Sequence, residues 1–318
     1  MQHISKRYSS IFPANNEGIW RGILNNIEYI TEIRIRAQRP ILIYLNQKEV
    51  SVDESGNLIY IPEKGKIFSY RELQSLLDFW CMDSRYAFQN EIKKGFLTIQ
   101  GGHRIGICGE VISDAEGKIQ SIKYISAINI RVAHEIKGAA DMVMKYMYIE
   151  KRIENTLIVS PPGAGKTTLL RDMIRQLSYG NNLYKGITVG LVDERGEIAA
   201  CFQGIPQLDV GSRTDVLDNC QKSVGMRMLL RSMSPRVIAV DELGSMEEVQ
   251  LIQQMTGNGC GVIATIHGEN IEELKHKKML NEIWEQNIFQ NIIYLSKDRN
   301  SFHMELYKGK EWKLCFRS

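Results

Sequence analysis

The fold of this chain is decided by residues 156–167, TLIVSPPGAGKT, together with the helical pattern that follows them. Residues 156–159 form a short apolar run that predicts a buried strand. A helix is predicted to begin at Lys166, because apolar residues then recur at helical spacing. These residues are Leu169, Leu170, Met173, Ile174 and Leu177. A glycine-rich loop between a buried strand and a helix is the context of a phosphate-binding P-loop.

The residue types in this loop suit a magnesium nucleotide, which we expect to be ATP. Gly163 and Gly165 allow the backbone to curl so that several N–H groups point at one anion. The start of the helix adds its dipole. Lys166 would contact the β- and γ-phosphates, and Thr167 would offer its hydroxyl to Mg²⁺. The predicted nucleotide-binding residues are Pro162, Gly163, Ala164, Gly165, Lys166, Thr167 and Thr168.

One position departs from the usual motif, since Ser160 stands where a first glycine is common. That position only opens the turn, so serine is compatible with the function. The alternative is a glycine-rich loop that binds no ligand.

A second apolar run, Val237–Val240, ends in Asp241 and Glu242. Parallel α/β sheets bind ligands at the carboxyl ends of their strands, where these carboxylates would lie. We expect Asp241 to hold Mg²⁺ and Glu242 to act as the general base toward water. An acidic pair at a strand end is otherwise often only a solvated end, but here it follows a P-loop.

Two further runs are predicted to bring side chains to the same sheet edge. Residues 187–193, predicted as an edge strand, lead into an acidic loop, residues 193–197, in which Glu194 is a candidate catalytic residue. Residues 261–264 lead to Thr265 and His267, and His267 is a candidate sensor of the γ-phosphate. The alternatives are a solvated acidic loop and a structural histidine. A catalytic glutamate, without an NKxD-type guanine reader, favours an ATPase over a GTPase.

Four arginines are candidates for completing the site. Arg104 and Arg131 are predicted near strand ends in the first part of the chain, and either is a candidate arginine finger. Arg227 and Arg231 are four residues apart and share one helix face. They are expected to pair with carboxylates or to reach the nucleotide of a neighbouring subunit.

Length and composition fit two globular domains. The 318 residues are 43% hydrophobic, and the net charge of +3 argues against a dedicated nucleic-acid binder. Six scattered cysteines predict free thiols in a reducing compartment. Neither an apolar leader after residues 1–10 nor an apolar run of about 20 residues is found, so we expect a soluble protein.

The pattern changes along the chain and predicts two domains, residues 1–140 and 141–318. The first has mixed α and β patterns, with strands within 32–45, 96–111 and 122–132 and a helix over 70–80. A helix is also predicted over 138–149. In the second, β-rich runs alternate with helical patterns, which is typical of a parallel sheet. The predicted runs are residues 156–160, 187–193, 237–241, 261–265 and 291–295.

Several runs, taken together, resemble the stage III sporulation protein AA family. They are residues 101–106 (GGHRIG), 165–172 (GKTTLLRD), 192–198 (VDERGEI), 211–216 (GSRTDV) and 234–244 (SPRVIAVDELG). The resemblance extends from about Glu32 to His267, and the DERGEI and GxRTDV runs are its most specific parts.

The resemblance implies a fold and a place of action. The family is similar to ATPases of type II and type IV secretion and pilus systems, which are two-domain, ring-forming motors at a membrane channel. It implies an α/β fold: a RecA-like P-loop ATPase domain, with helices on both faces of a parallel sheet, preceded by a smaller α+β N-terminal domain for assembly or regulation. The implied partners are further copies in a hexameric ring and integral membrane channel proteins of the sporulation apparatus.

The same resemblance implies site residues. Residues 193–194 look like the acidic box of secretion ATPases, and residues 265–267 look like their histidine box. Secretion ATPases usually have Gly-Glu where this chain has Asp241-Glu242, so the magnesium carboxylate is the more conventional one here. The protein is expected in the mother-cell cytoplasm, at the membrane through a partner, powering a channel to the forespore.

Three functions follow from these observations. The first is the ATP-driven motor of a secretion-like channel, with no nucleic acid as partner. The second is a P-loop ATPase acting on single-stranded nucleic acid. The third is a nucleotide-dependent scaffold with negligible turnover, which the presence of Lys166, Asp241 and Glu242 disfavours.

Overall fold

The chain divides into two compact units. The computed structural model of the protein describes residues 8, 10–13, 17–149, 152–181, 184–277, 280–298 and 301–318. The first unit comprises Met1–His134 and Ala200–Gln207, and the second comprises Glu135–Ala199 and Leu208–Ser318. The predicted domains, 1–140 and 141–318, remain a proposal for how the chain folds. The prediction that residues 1–10 carry no apolar leader falls mostly on residues outside the described part of the chain.

The first unit is built on a seven-stranded sheet with the order β5-β4-β3-β1-β9-β8-β7. Its strands pair antiparallel, and in β1 the buried residues Ile33 and Ile35 alternate with more exposed ones, so one face covers the core. The strands are β1 (Ile30–Arg36), β2 (Arg39–Pro40), β3 (Leu42–Leu45), β4 (Lys48–Val52), β5 (Leu58–Ile59), β6 (Ile67–Phe68), β7 (Phe96–Thr98), β8 (Arg104–Ser113) and β9 (Ile119–Arg131). Strands β2 and β6 form a separate pair.

From residue 17 onward in the described part of this unit, three helices accompany the sheet: α1 (Glu17–Asn25), α2 (Tyr70–Trp80) and α3 (Gln89–Lys93), with 3-10 turns at Ile27–Tyr29 and Pro62–Lys64. The predicted helix over residues 70–80 matches α2. It begins there because Ser69 and Glu72 form a reciprocal capping box. Its buried face, which includes Leu73, Leu77 and Trp80, joins the core of the unit.

The segment Ala200–Gln207 belongs to the first unit although the residues on either side of it belong to the second. Phe202 packs against the core of the first unit. The side-chain oxygen of Gln207 accepts a hydrogen bond of 2.9 Å from the N–H of Gly101. The chain therefore passes between the units three times, which the sequence did not predict.

The second unit contains an eight-stranded sheet with the order β14-β13-β15-β16-β12-β17-β18-β19. Pairings from β14 through β17 are parallel, and β18 and β19 add on antiparallel. The strands are β10 (Tyr148–Ile149), β11 (Arg152–Ile153), β12 (Thr156–Ser160), β13 (Val189–Asp193), β14 (Thr214–Asp218), β15 (Val237–Val240), β16 (Gly261–His267), β17 (Asn291–Lys297), β18 (Phe302–Lys308) and β19 (Lys313–Arg317). Every residue of β12, β13 and β15 is buried, as expected for parallel strands covered on both faces.

The helices of this unit are α4 (Asp141–Met144), α5 (Lys166–Tyr179), α6 (Lys222–Ser232), α7 (Met246–Gly257), α8 (Ile271–Lys275) and α9 (Asn281–Glu285). One core cluster joins side chains of α6 and α7 to alternate residues of the central strands, such as Val240 and Ala264. Among the described residues this cluster contains no side chain of α5, which contacts β12, β13, β14 and β16. Helices therefore cover both faces of the sheet.

Two sequence predictions about elements were wrong. Residues 187–193 were expected to form an edge strand, but β13 lies between β14 and β15, and β14 is at the edge. The half-buried run TDVLD that forms β14 is too polar to be recognised as a strand. The helix expected over 138–149 is limited to Asp141–Met144, because Tyr148–Ile149 pairs with Arg152–Ile153.

Within the described residues, no helix has the length and apolar character needed to cross a membrane. All six cysteines are free thiols.

Candidate functional site

The loop between β12 and α5 has the backbone expected of a phosphate cradle. Gly163 and Gly165 have φ values of 75° and 95°, in the left-handed region that favours glycine. Ala164 is buried and anchors the loop, whereas Pro162 and Gly163 are exposed. The loop therefore presents its backbone to solvent immediately before the positive end of α5.

Lys166 lies under this loop with only 6% of its surface exposed. Its Nζ is 3.5 Å from the carbonyl oxygen of Ser160 and 3.0 Å from Nδ1 of His267. Burial lowers the pKa of Lys166, while the charges of Asp241 and Glu242 act in the opposite direction. Among the described residues, the two hydrogen-bond acceptors of this buried cation are uncharged, and the phosphates of a nucleotide would supply an anionic acceptor in direct contact with it.

Thr167, Asp241 and Thr265 form a cluster of oxygen ligands next to Lys166. The hydroxyl of Thr167 is 3.3 Å from Oδ2 of Asp241, and the hydroxyl of Thr265 donates to Oδ1 of the same carboxylate. A hydroxyl and a carboxylate are the hard donors that Mg²⁺ prefers, and Mg²⁺ usually takes its other ligands from water and phosphate. Among the described residues no cluster of three or more His, Cys, Asp or Glu forms a metal cage. The residues present thus fit a magnesium ion held jointly with a nucleotide.

Glu242 is held from both its side chain and its backbone. Its Oε1 lies 2.8 Å from Nε2 of His267, and its Oε2 lies 2.8 Å from Nη2 of Arg195. Its N–H donates to the hydroxyl of Thr265 at 2.8 Å. Its φ is 54°, a conformation that costs a residue other than glycine roughly 1–2 kcal/mol. A strained backbone fixed by several contacts is typical of a functional position.

His267 connects the P-loop lysine to Glu242. Because the ammonium of Lys166 can only donate, Nδ1 of His267 accepts that hydrogen bond and Nε2 carries the proton donated to Glu242. This places His267, which ends β16, between the two residues most directly expected to act. Strand β16 lies between β15 and β12 in the sheet, so an extra strand separates the two motif strands.

Lys222, at the start of α6, is a site residue that the sequence did not predict. Its Nζ donates to the carbonyl oxygen of Glu242 and lies 3.4 Å from Oε2 of Glu194 and 3.7 Å from Oε1 of Glu248. Only 9% of Lys222 is exposed. A lysine in the first turn is unfavourable for the helix dipole. That mismatch was the one local signal that could have identified it.

The acidic loop after β13 is organised by Asp193. Its carboxylate accepts hydrogen bonds of 2.8–3.0 Å from the N–H groups of Glu197, Ile198 and Ala199. The side chain of Arg171 donates to the carbonyl oxygens of Glu197 and Ile198. Burial raises the pKa of Asp193 to about 6, although these hydrogen bonds oppose the shift.

Asp193 is therefore occupied in shaping the loop, whereas Glu194 and Arg195 reach the site. Arg195 pairs with Glu242, and Glu194 reaches Lys222. The sequence placed these groups at one sheet edge but could not distinguish the loop-forming carboxylate from the others.

The four candidate arginines lie in different places. Arg104 and Arg131 face each other across β8 and β9 in the first unit. The guanidinium of Arg104 lies 3.5 Å from the ring centre of Phe96, and Nε of Arg131 is 3.7 Å from Oε1 of Glu32.

In the second unit, Arg227 pairs with Glu247 at 2.9 Å, and Arg231 is exposed on the same helix. Pairing with a carboxylate was one of the two possibilities left open for these arginines. The role of any of the four as an arginine finger remains a prediction.

Comparison with known proteins gives a family and a fold. The model of the family described as "Sporulation stage III, protein AA" matches residues 11–311. The chain is 39% identical over 268 residues to stage III sporulation protein AA of Bacillus subtilis (strain 168), covering 84% of this chain and 83% of that protein.

Two solved structures are similar in fold. The first is the ATPase DotB of Legionella pneumophila, with a TM-score of 0.55, 15% identity, and coverage of 89% of this chain and 77% of DotB. The second is the pilus retraction motor PilT with bound ADP, with a TM-score of 0.61, 16% identity, and coverage of 90% and 81%. These likenesses confirm the predicted fold, a RecA-like domain preceded by a smaller N-terminal domain.

Proposed function

The chain belongs to the sporulation stage III protein AA family, and from that premise we propose that it is a magnesium-dependent ATPase that drives a secretion-like channel during endospore formation. The observation that carries the proposal is the meeting of three groups at the carboxyl ends of parallel strands: the buried Lys166, the Thr167–Asp241 oxygen pair, and the fixed Glu242. This is the sheet edge at which α/β folds bind ligands.

Each part of the site has a task in nucleotide binding. The backbone N–H groups of residues 162–165 and the ammonium of Lys166 hold the phosphates, with Thr168 in the first turn of the helix beside them. Thr167 and Asp241 hold the metal. A bound magnesium nucleotide would supply the phosphoryl group and the positive charge that offsets charge build-up on it.

Glu242 is the proposed general base, accepting a proton from water at a side-chain oxygen. In the present structure both of its oxygens are engaged, by His267 and by Arg195. When Lys166 turns toward a phosphate, Nδ1 of His267 loses its hydrogen-bond donor. The contact between His267 and Glu242 then depends on whether a phosphate occupies the loop. This is the γ-phosphate-sensing role expected of His267. Glu194, which pairs with Lys222, remains the alternative base.

For the assembly, we propose a homo-oligomeric ring, with a hexamer as the expected size, docked on integral membrane channel proteins that join the mother cell to the forespore. Family membership supports the role in sporulation. The fold likeness to DotB and to the pilus retraction motor PilT supports a motor. Arg104, Arg131, Arg227 and Arg231 are the candidates for completing a neighbour's site.

The test is nucleotide binding and hydrolysis by the full chain. Titration with a fluorescent ATP analogue should give saturable, magnesium-dependent binding, and Lys166→Ala should abolish it because the buried cation is lost. Exposed Lys313→Ala serves as the matched control and should bind normally. Unchanged binding by Lys166→Ala would refute the site. Stimulation of hydrolysis by single-stranded polynucleotide would instead support the nucleic-acid function.

A further inference from the structure

The second unit has a cavity at the edge of its sheet opposite the candidate nucleotide site. Its volume is about 940 Å³, and it is lined by segments that lead into four neighbouring parallel strands, β13, β15, β16 and β12. These segments contribute Ile187, Arg236, Cys260 and Asn155. The strands are about five residues long, so at roughly 3.3 Å per residue the cavity lies about 16 Å from the P-loop edge. It is a separate site.

The charged residues that line this cavity, among those that the structure describes, are all positive. Arg152, Lys185 and Arg236 line it, and all three are exposed. Within the described ranges, none of the lining residues is acidic, and none of the three cations forms an ion pair. Glu154, which adjoins the lining, turns away and pairs with Lys308 at 2.6 Å. Three like charges around one cavity repel each other, and an anionic ligand would relieve that repulsion.

Two tyrosines supply an aromatic wall. Tyr148 and Tyr184 stack with ring centres 3.8 Å apart and an angle of 2° between the planes. Burial raises the pKa of Tyr148 to about 12, so its hydroxyl stays neutral. The inner face of each ring is covered by the other ring. The wall therefore offers flat apolar surface, but the gap between the rings is closed to a third ring.

We propose that this cavity binds an acidic, extended segment of a partner protein. Carboxylates of the segment would pair with the guanidinium groups of Arg152 and Arg236, which suit bidentate contacts, and with the ammonium of Lys185. An apolar side chain of the segment would rest on the tyrosine wall. A cavity of this size is at the upper end of the range of about 300–1,000 Å³ for ligand pockets.

Two observations favour a protein segment over a nucleic acid. The net charge of the chain is only +3, and the three cations surround one cavity where a nucleic acid would need a track along several phosphates. The stacked tyrosines also leave no gap for a base. A role as a docking point for a channel protein rests on the proposed function, but binding of an acidic segment does not.

The experiment measures the binding of a fluorescein-labelled octapeptide of alternating glutamate and leucine to the full chain by fluorescence anisotropy. Saturable binding that weakens with added salt is expected. The triple variant Arg152→Gln, Lys185→Gln, Arg236→Gln should weaken binding at least about tenfold, because three charge-assisted contacts are lost. Lys118→Gln, Lys310→Gln, Lys313→Gln removes three exposed charges elsewhere and should change the affinity by less than about twofold.

Nucleotide binding at the opposite sheet edge reports whether each variant is folded. If the triple variant does not fold, the single change Lys185→Glu, at an exposed side chain, provides the test instead. It should also weaken peptide binding. Peptide binding without ATP hydrolysis would uphold this proposal while removing the proposed function.

Each of the following results would overturn the proposal. These are an absence of saturable peptide binding, an equal loss in the control variant, and cavity-dependent binding that prefers single-stranded oligothymidylate. Displacement of the peptide by an equal concentration of inorganic phosphate would equally overturn it, because it would identify a site for small anions.

Discussion

Replacing Lys222 by methionine should separate nucleotide binding from hydrolysis. The substitution keeps the length of the side chain but removes the hydrogen bond to the carbonyl oxygen of Glu242 and the charge between Glu194 and Glu248. A hydrogen bond to a charged group contributes about 1.5–3 kcal/mol. If that contribution fixes the backbone of Glu242 for catalysis, the rate should fall about 10- to 100-fold, since each 1.36 kcal/mol is tenfold.

The affinity for nucleotide should stay within about twofold, because among the described residues Lys222 contacts the carboxylates of Glu194 and Glu248 and the carbonyl oxygen of Glu242, and not the P-loop. Lys222→Arg keeps the charge and should recover part of the rate. Lys313→Met is the matched control at an exposed position. The assay is steady-state phosphate release, with the affinity measured separately by titration of a fluorescent nucleotide.

A double variant distinguishes a role of Lys222 through Glu242 from a merely structural role. In a Glu242→Gln background, Lys222→Met should reduce turnover no further, because both changes act through the same residue. Additive losses, or a rate that is unchanged in the single variant, would refute the reasoning. An equal fall in affinity and rate would place Lys222 in the nucleotide site itself.

Three further predictions concern the base, the ring and the acidic loop. Glu242→Gln should bind ATP normally yet turn over about 10²–10⁴ times more slowly, and full activity in phosphate-release assays would contradict the assignment. If Arg104 or Arg131 acts across the ring, mixing subunits that carry Lys166→Ala with subunits that carry Arg104→Ala or Arg131→Ala should restore some ATPase activity. A mixed oligomer, identified by its mass, that regains no activity would exclude that arginine as a finger between subunits. Burial raises the pKa of Asp193 from 3.8 to about 6, so the folded state binds this proton more tightly than the unfolded state does. The resulting stabilisation is fully present below about pH 4 and is lost as the pH rises through about 6, by up to about 3 kcal/mol. Urea unfolding across pH 4–7 should show this trend in the wild type and not in Asp193→Asn.

The parts of the fold that the sequence predicted are those set by local pattern. Strand β12 and helix α2 agree with their predicted bounds, because an apolar run and a helical repeat with a capping serine are complete within a few residues. Strand β14 was missed because its stability comes from pairing with β13 and not from its own composition. Its position moved the expected edge of the sheet by one strand.

In the candidate site, too, the sequence predicted the residues set by local pattern and missed those set by packing. Residues at strand ends, such as Asp241 and His267, could be placed together from the order of the strands. The hydrogen bond from Lys222 to Glu242 joins residues 20 positions apart through the packing of α6, and no spacing rule predicts it. The pairing of Arg195 with Glu242 likewise depends on how Asp193 folds the loop.

The passage of residues 200–207 into the first unit has a consequence for the order of synthesis. The ribosome completes residues 1–134 long before it adds Phe202, which packs against the core of that unit. Domains commonly fold as units during translation, starting from the N-terminus. Part of the apolar core of the first unit therefore stays uncovered until residues 200–207 have been synthesised, after most of the P-loop region. A nascent chain halted before residue 200 should therefore be more sensitive to protease in its first unit than one released after residue 207.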